Sequence, residues 1–342
     1  MKQCGDKMNL EEIITSAKAL RDGFVQWDGF LFSALVFPAN VYDAIVIHNP
    51  AQATSFTPRY PSSDRSLEEH IALINQMKLD KAIVIAENID FLRQCPSLRH
   101  LSIIPADTAQ DGFDFSPLYD LPCILSLHCS TEYGFMQKLR STIDYSRVSG
   151  LIDLGVSGTG HFNFNHITTL KSLSVSQDSS PSLQQLFCGQ DLDTLQLIQC
   201  RTQSLDGLER ARKMQCLYLY SNRYLQNIHA LAAIGESLRA LRIQNCPRIQ
   251  DFSVLKSLSN VEMLELTGKN ELDNLSFIRE MPNLKTLILG MNVRDGDLSL
   301  CQSLSWVSVR QMKRHYNLAR NDLPQISFCH GNENIEPWRR LE

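Results

Sequence analysis

From Leu192 onward the aliphatic positions follow one rhythm, and it is neither that of a helix nor that of a strand. "LDTLQLIQC" at Leu192, "MQCLYLYSN" at Met214, "LRALRIQNC" at Leu238, "VEMLELTGK" at Val261, "LKTLILGMN" at Leu284 and "LSWVSV" at Leu304 align as LxxLxLxx(N/C). The successive starts lie 22, 24, 23, 23 and 20 residues apart. The alternating LxL centre predicts a short strand with the leucines turned inward. The Asn or Cys that follows (Cys200, Asn222, Cys246 and Asn292, with Lys269 in its place once) is expected to turn the chain and bond neighbouring backbone. The second half of each unit then returns with its own apolar residues, such as Ile249, Phe252, Leu255 and Leu258. No single unit can bury its apolar side alone, so the units must stack.

Upstream the rhythm loosens. "LRHLSI" at Leu98 and "LKSLSV" at Leu170 fit, "ILSLHC" and "GLIDLG" fit weakly, and "LQQLFC" at Leu183 reads as an out-of-phase strand. Asn9 to Asp22 has a helical stripe of Leu10, Ile13, Ile14, Ala17 and Leu20. "YDAIVIHNP" and "KAIVIA" read as strands; between them Ser66 with Glu69 forms a capping box for a helix over "LEEHIALINQM".

A unit of 20–29 residues with this pattern is the leucine-rich repeat signature. "IQDFSVLKSLSNVEMLEL" and "LDNLSFIREMPNLKTLIL" resemble the internalin-like repeat class, and the ending "MNVRDGDLSLCQSLSWVSVRQMKRHYNLARNDLP" resembles that of a group of bacterial proteins built from such repeats. The resemblance implies an α/β leucine-rich repeat solenoid, a horseshoe with a parallel concave β-sheet, irregular N-terminal repeats and a helical N-terminal cap. Residues 1–79 are expected to form the cap with degenerate repeats, 80–310 the solenoid, and 311–342 the C-terminal cap and tail. It names no activity.

Composition narrows the function. Leu is about one residue in seven, as repeats require. A net charge of -4 gives no general affinity for nucleic acid or anionic membranes, which need an excess of Lys and Arg. The N-terminus, Cys4 included, lacks a signal-peptide core, and no apolar run suits a bilayer span. The ten cysteines have neither CxxC pairs nor framework spacing, so they are expected as reduced thiols in the cytoplasm.

Candidate chemistry is sparse. "GVSGTGHF" (Gly155 to Phe162) matches neither a dinucleotide fingerprint nor a P-loop and reads as an inter-repeat turn. His161 with His166, and His128 with Cys129 and Cys123, lack metal-site spacing. No GxSxG occurs, and "FCHGN" at Cys329 is a lone pair in the tail. Arg310, Lys313, Arg314, His315 and Arg320 cluster; they could meet an acidic partner or RNA, but such charge runs are mostly solvated. No cofactor and no metal is expected.

The x positions of xLxLx point away from the core and would line the concave face: Thr194, Gln196, Ile198, Tyr218, Tyr220, Arg242, Gln244, Glu265, Thr267, Ile288, Trp306 and Arg310. Tyr, Trp and Arg are the residue types that dominate binding hot spots. The expectation is a non-catalytic protein-binding scaffold with an unidentified protein partner, in a narrower form a cytoplasmic, immunity-type neutraliser of a toxin or effector. A small-ligand or carbohydrate sensor on the same face is the alternative, and an enzyme with a site hidden in sequence the third reading.

Overall fold

The computed structural model describes residues 24–33, 44–48, 63–106, 112–129, 142–157, 161–186 and 191–324. Two compact units divide the chain after Phe162. The helix expected over Asn9 to Asp22, Gly158–Gly160 of the glycine-rich stretch, and Cys329 lie outside the described residues.

The first unit opens with a hairpin, β1 (Phe24–Trp27) antiparallel to β2 (Phe30–Ser33). Asp28 and Gly29, at φ 47° and 81°, make its two-residue turn, for which Asp-Gly is a favoured pair. Strand β2 also runs antiparallel to β3 (Ala44–His48), an arrangement the repeat reading did not anticipate. Helix α1 (Leu67–Met77) carries the expected capping box between Ser66 and Glu69 and leads to β4 (Lys81–Ala86). Strands β5 (His100–Pro105), β6 (Ser126–Cys129) and β7 (Asp153–Ser157) continue in parallel. Leu101, Leu127 and Leu154 sit opposite one another in the register, each with 0% exposure. The other face of β2–β5 is apolar too: Leu31, Ala44, Val46, Ile83, Ile85 and Ile104 form one buried cluster.

In the second unit the coils are regular. Strands β8 (Ser172–Ser176), β9 (Thr194–Ile198), β10 (Cys216–Tyr220), β11 (Ala240–Gln244), β12 (Met263–Thr267), β13 (Thr286–Leu289) and β14 (Trp306–Val309) pair in parallel, each with its sequence neighbour. The inward leucines fall into rows: Leu173, Leu195, Leu217, Leu241, Leu264, Leu287 and Val307 are all 0% exposed. Burying each such side chain contributes about 1.5–3 kcal/mol.

Beyond β8–β12 the chain turns through Gln177, Gln199, Ser221, Asn245 and Gly268, all at positive φ. The backbone N–H of the first four each donates to the last residue of the next strand, for example Ser221 to Gln244 O at 2.8 Å. Gly268, at φ 142°, occupies a region that residues with a Cβ rarely enter.

The ladder residues follow. Asn222 donates to Leu197 O and accepts from Cys200 N–H, while the thiols of Cys200 and Cys246 donate to Val175 O and Leu219 O. Two assignments from sequence are corrected. Asn270, not the exposed Lys269, is buried and donates to Cys246 O and Ile249 O. Met291 is buried where Asn292 was expected, and Asn292 instead bonds Glu271 in a short pair of bridging segments.

The return halves are 3-10 turns: Leu208–Arg210, His229–Ile234, Ser253–Ser257, Ser276–Glu280 and Ser299–Ser303. In the last four, an Asn or Asp two residues ahead accepts the N–H of the first residue, as Asp251 does from Ser253 at 2.8 Å. Such Asx turns fix where the return begins. Leu183 and Leu186 are buried in turns, so "LQQLFC" is not the extra strand expected; its leucines pack inward from a return segment. After β14, Tyr316 O–H accepts from Val293 N–H, and Val307 N–H donates to Pro324 O, so Gln311 to Pro324 folds back over the final coils.

Candidate interaction surface

The outer face of β9–β14 carries the residues singled out in the sequence, but they are not uniformly open. Gln196, Ile198, Tyr218, Tyr220, Arg242, Ile288 and Trp306 are half-exposed, and Arg310 is exposed. Thr194, Gln244, Glu265 and Thr267 are buried, against the expectation that every x side chain would point into solvent. The reason is lateral packing: neighbouring strands lie about 4.8 Å apart, so long side chains lie across short ones.

Glu265 is the centre of this packing, with 0% exposure. Arg242, its register partner on β11, donates Nε–H to Oε2 at 3.0 Å. Arg310, just past β14, donates from Nη2 to Oε1 at 2.7 Å. Gln244 Nε2 donates to the same oxygen, and Thr267 Oγ1 lies 3.5 Å from it. Gln244 Oε1 in turn accepts the Tyr218 hydroxyl at 3.0 Å. The Arg242 guanidinium lies 4.8 Å above the Tyr218 ring, and the Tyr218 and Tyr220 rings are 5.9 Å apart. Cys216 and Ala240 form a buried floor on which Tyr218, Met263 and Ile288 pack.

Arg310 reaches Glu265 by crossing β13, and Gly290 makes this possible. It stands between Thr267 and Arg310; a Cβ there would lie 2.9 Å from Thr267 Cγ2 and 3.2 Å from Arg310 Cδ. Burial pushes the Tyr218 phenol up to about 12, so it stays a neutral donor through the ordinary pH range. The network therefore couples Tyr218, Arg242, Gln244, Glu265, Thr267 and Arg310. Thr194, Gln196, Ile198 and Trp306 take flanking register positions. The legible signal was Arg242 and Glu265 at matching places in consecutive repeats; what sequence reasoning missed was the gap left by Gly290.

Other candidates separate in space. The His128 ring meets Asp153 Oδ2 through Nε2 at 2.8 Å, and Ser126 Oγ donates to the same oxygen at 2.8 Å. Gly155 lies in β7 rather than in a turn, and a Cβ there would fall 2.2 Å from His128 Nδ1. Cys129 is buried, and that burial pushes its thiol up to about 12. Among the described residues no three His, Cys, Asp or Glu side chains converge as metal ligands, and no helix is long and apolar enough to cross a membrane. The basic cluster divides: Arg310 turns to Glu265, His315 Nε2 meets Val293 O, and Arg314 and Arg320 are exposed. In the first unit a cavity of about 370 Å³ is lined by His48, Arg65, Glu68 and His70 among others. Arg65 there is already paired with Asp28 and Glu69.

No protein-family model matches the sequence, and no curated protein matches it. Solved structures do. An internalin, InlF, from Listeria monocytogenes is 18% identical over 70% of each chain, with a TM-score of 0.47. The functional domain of InlJ from Listeria monocytogenes, which includes a cysteine ladder, is 15% identical over 62% of this chain and 54% of its own, with a TM-score of 0.38. TLR13, in complex with ssRNA13, is 17% identical over 72% of this chain and 41% of its own, with a TM-score of 0.46. The chain thus spans about half of the InlJ domain and less of TLR13. The rows of opposed leucines and the ladder of Asn and Cys carry the assignment: the chain has the leucine-rich repeat solenoid fold.

Proposed function

We propose that the chain is a non-catalytic protein-binding scaffold whose working surface is the outer face of β9–β14. The observation that carries this is the Tyr218–Arg242–Glu265–Arg310 network. Its buried carboxylate holds two guanidiniums in place beside two half-exposed tyrosine rings. Side chains already ordered in the free protein lose little entropy on docking, and Tyr and Arg are the usual anchors. We extend the proposal to a bacterial cytoplasmic setting, which suits the seven free cysteines among the described residues. There the chain would act as a neutraliser, covering a toxin or other effector.

Tyr218→Ala with Tyr220→Ala removes ring area and leaves every charge in place. Affinity capture from a bacterial cytoplasmic extract, compared with the unaltered chain, is expected to lose the bound protein at least tenfold. A captured set that does not change would rule out this face. The neutralising role is checked by co-expressing the chain with the captured partner: growth that is not protected removes it.

A further inference from the structure

We infer that this face takes an acidic polypeptide segment, with a partner carboxylate seated on the guanidinium of Arg310 beside Arg242. The inference rests on the proposed protein-binding role and names the chemistry of the partner. Its first support is a charge count. The outward positions of β8–β14 and of the residue after each carry three charged side chains: Arg242, Glu265 and Arg310. Glu265 is sealed, with both oxygens occupied, so the charge this face displays is positive.

The second support is that the cation is built in place. Arg310 gives one N–H to Glu265 and retains Nε–H and the Nη1 hydrogens, on a side chain 57% exposed. A guanidinium has five donors in a fixed fork that matches a carboxylate in two-point contact. Glu265 anchors one prong, and the slot at Gly290 sets the path of the aliphatic stem. Leaving a bare guanidinium on a mobile stem would cost more on binding than one already held.

Third, the loops leaving β10, β11 and β12 add Arg223, Arg248 and Lys269, all exposed and none with an ion-pair partner among the described residues. Arg248 lies 5.1 Å from the ring of exposed Tyr224. A segment leaving the clamp over the strand ends thus meets further cations. Asp251, Glu271 and Asp273 follow closely in the same loops. Asp251 is paired with His229, and Glu271 and Asp273 share Arg294, so these acids outnumber the full cations beside them. A nucleic-acid strand, charged at every residue, would have to pass them, whereas a polypeptide can space its carboxylates to the cations.

The test is selection of displayed 12-residue peptides on the intact chain, followed by fluorescence anisotropy with the best peptide in synthetic form. Enriched peptides are expected to carry Asp or Glu. Changing that residue to Asn or Gln should weaken binding about tenfold, Arg310→Ala should do the same, and the two losses should not add. Arg310→Lys, which keeps the charge and removes the fork, should lose at least threefold. The change on the peptide side reads out the same contact even where an Arg310 variant folds poorly. Peptides indifferent to acid→amide substitution but lost in Tyr218→Ala with Tyr220→Ala would overturn the clamp and leave the binding face standing. Binding that survives both the Arg310 and the tyrosine variants would overturn the face as well. No enrichment, or tighter binding of a 12-nucleotide oligouridylate than of any peptide, would also overturn the inference.

Discussion

The outer strand faces of the two units carry opposite chemistry over the same kind of strand. In the first unit Ala44, Val46, Ile83, Ile85 and Ile104 lie on that face and are buried. In the second, the corresponding side of β9–β14 holds Gln196, Tyr218, Arg242 and Ile288 at partial exposure. Each face also has one carboxylate gathered by its neighbours and a glycine that makes room. Asp153 takes a hydroxyl and an imidazole, with Gly155 against the His128 ring. Glu265 takes two guanidiniums, with Gly290 beneath Arg310. The inner rows fix the coil, and the outer positions are then free to be closed over or displayed. The second unit displays positive charge because two cations meet one acid.

The largest effect should come from placing a charge on each face. Ile83→Asp puts a carboxylate in the buried apolar cluster and is expected to destabilise by on the order of 4 kcal/mol. Gln196→Asp, on the half-exposed face, should stay within about 0.5 kcal/mol. Urea unfolding of the two variants measures the contrast, and equal losses would erase it. Next comes Glu265→Ala, which leaves Arg242, only 17% exposed, without its acid. A loss of about 3 kcal/mol is expected, since removing one member of a buried pair strands the other. Arg310→Ala should cost about 1 kcal/mol or less, because that side chain is 57% exposed and Glu265 keeps Arg242 and Gln244.

Much of this was legible in the residues. The LxL alternation located the strands of the second unit, and Ser66 with Glu69 located α1, because both are local patterns with a single low-energy outcome. The hairpin at Asp28–Gly29 also has its local sign, the pair "DG" between apolar residues, which lies outside the repeat pattern. Lys269 and Asn292 were misplaced because one-residue shifts between coils leave the leucine spacing intact while changing which residue turns inward. The candidate surface was read as a set of positions and not as a network. Register put Arg242 opposite Glu265, yet the second guanidinium on Glu265 is that of Arg310, arriving from two strands away across Gly290, a contact between residues 45 apart. Alternation predicts the side of the sheet a residue occupies; what lies across it is set by neighbouring strands.

The two glycines sharpen the comparison at smaller magnitude. Gly155→Ala drives a methyl into the buried His128 ring and should cost about 2 kcal/mol, as overpacking does. Gly290→Ala should cost about 1 kcal/mol, because its methyl overlaps the buried Thr267 side chain less deeply (2.9 Å) than the Gly155 methyl overlaps His128 (2.2 Å), and the Arg310 stem at 3.2 Å can swing aside. Thermal unfolding ranks the pair, and the reverse order would show that the Arg310 path is the more rigid of the two.

The smallest signal is spectroscopic and concerns Tyr218 alone. Burial disfavours its phenolate and raises the phenol to about 12 in the folded protein, against roughly 10 in an unfolded chain. Between those values the folded state holds a proton that the unfolded state has lost. The stabilisation is therefore complete below pH 10 and declines as pH rises toward 12. Phenolate absorbance at pH 11 should be nearly the same for the wild-type chain and for Tyr218→Phe, as only about a tenth of Tyr218 has ionised one unit below its value of about 12. A clear deficit in the variant would mean that the ring is more open than its place beneath Arg242 allows, and that the outer face of the second unit is less ordered than its hydrogen bonds require.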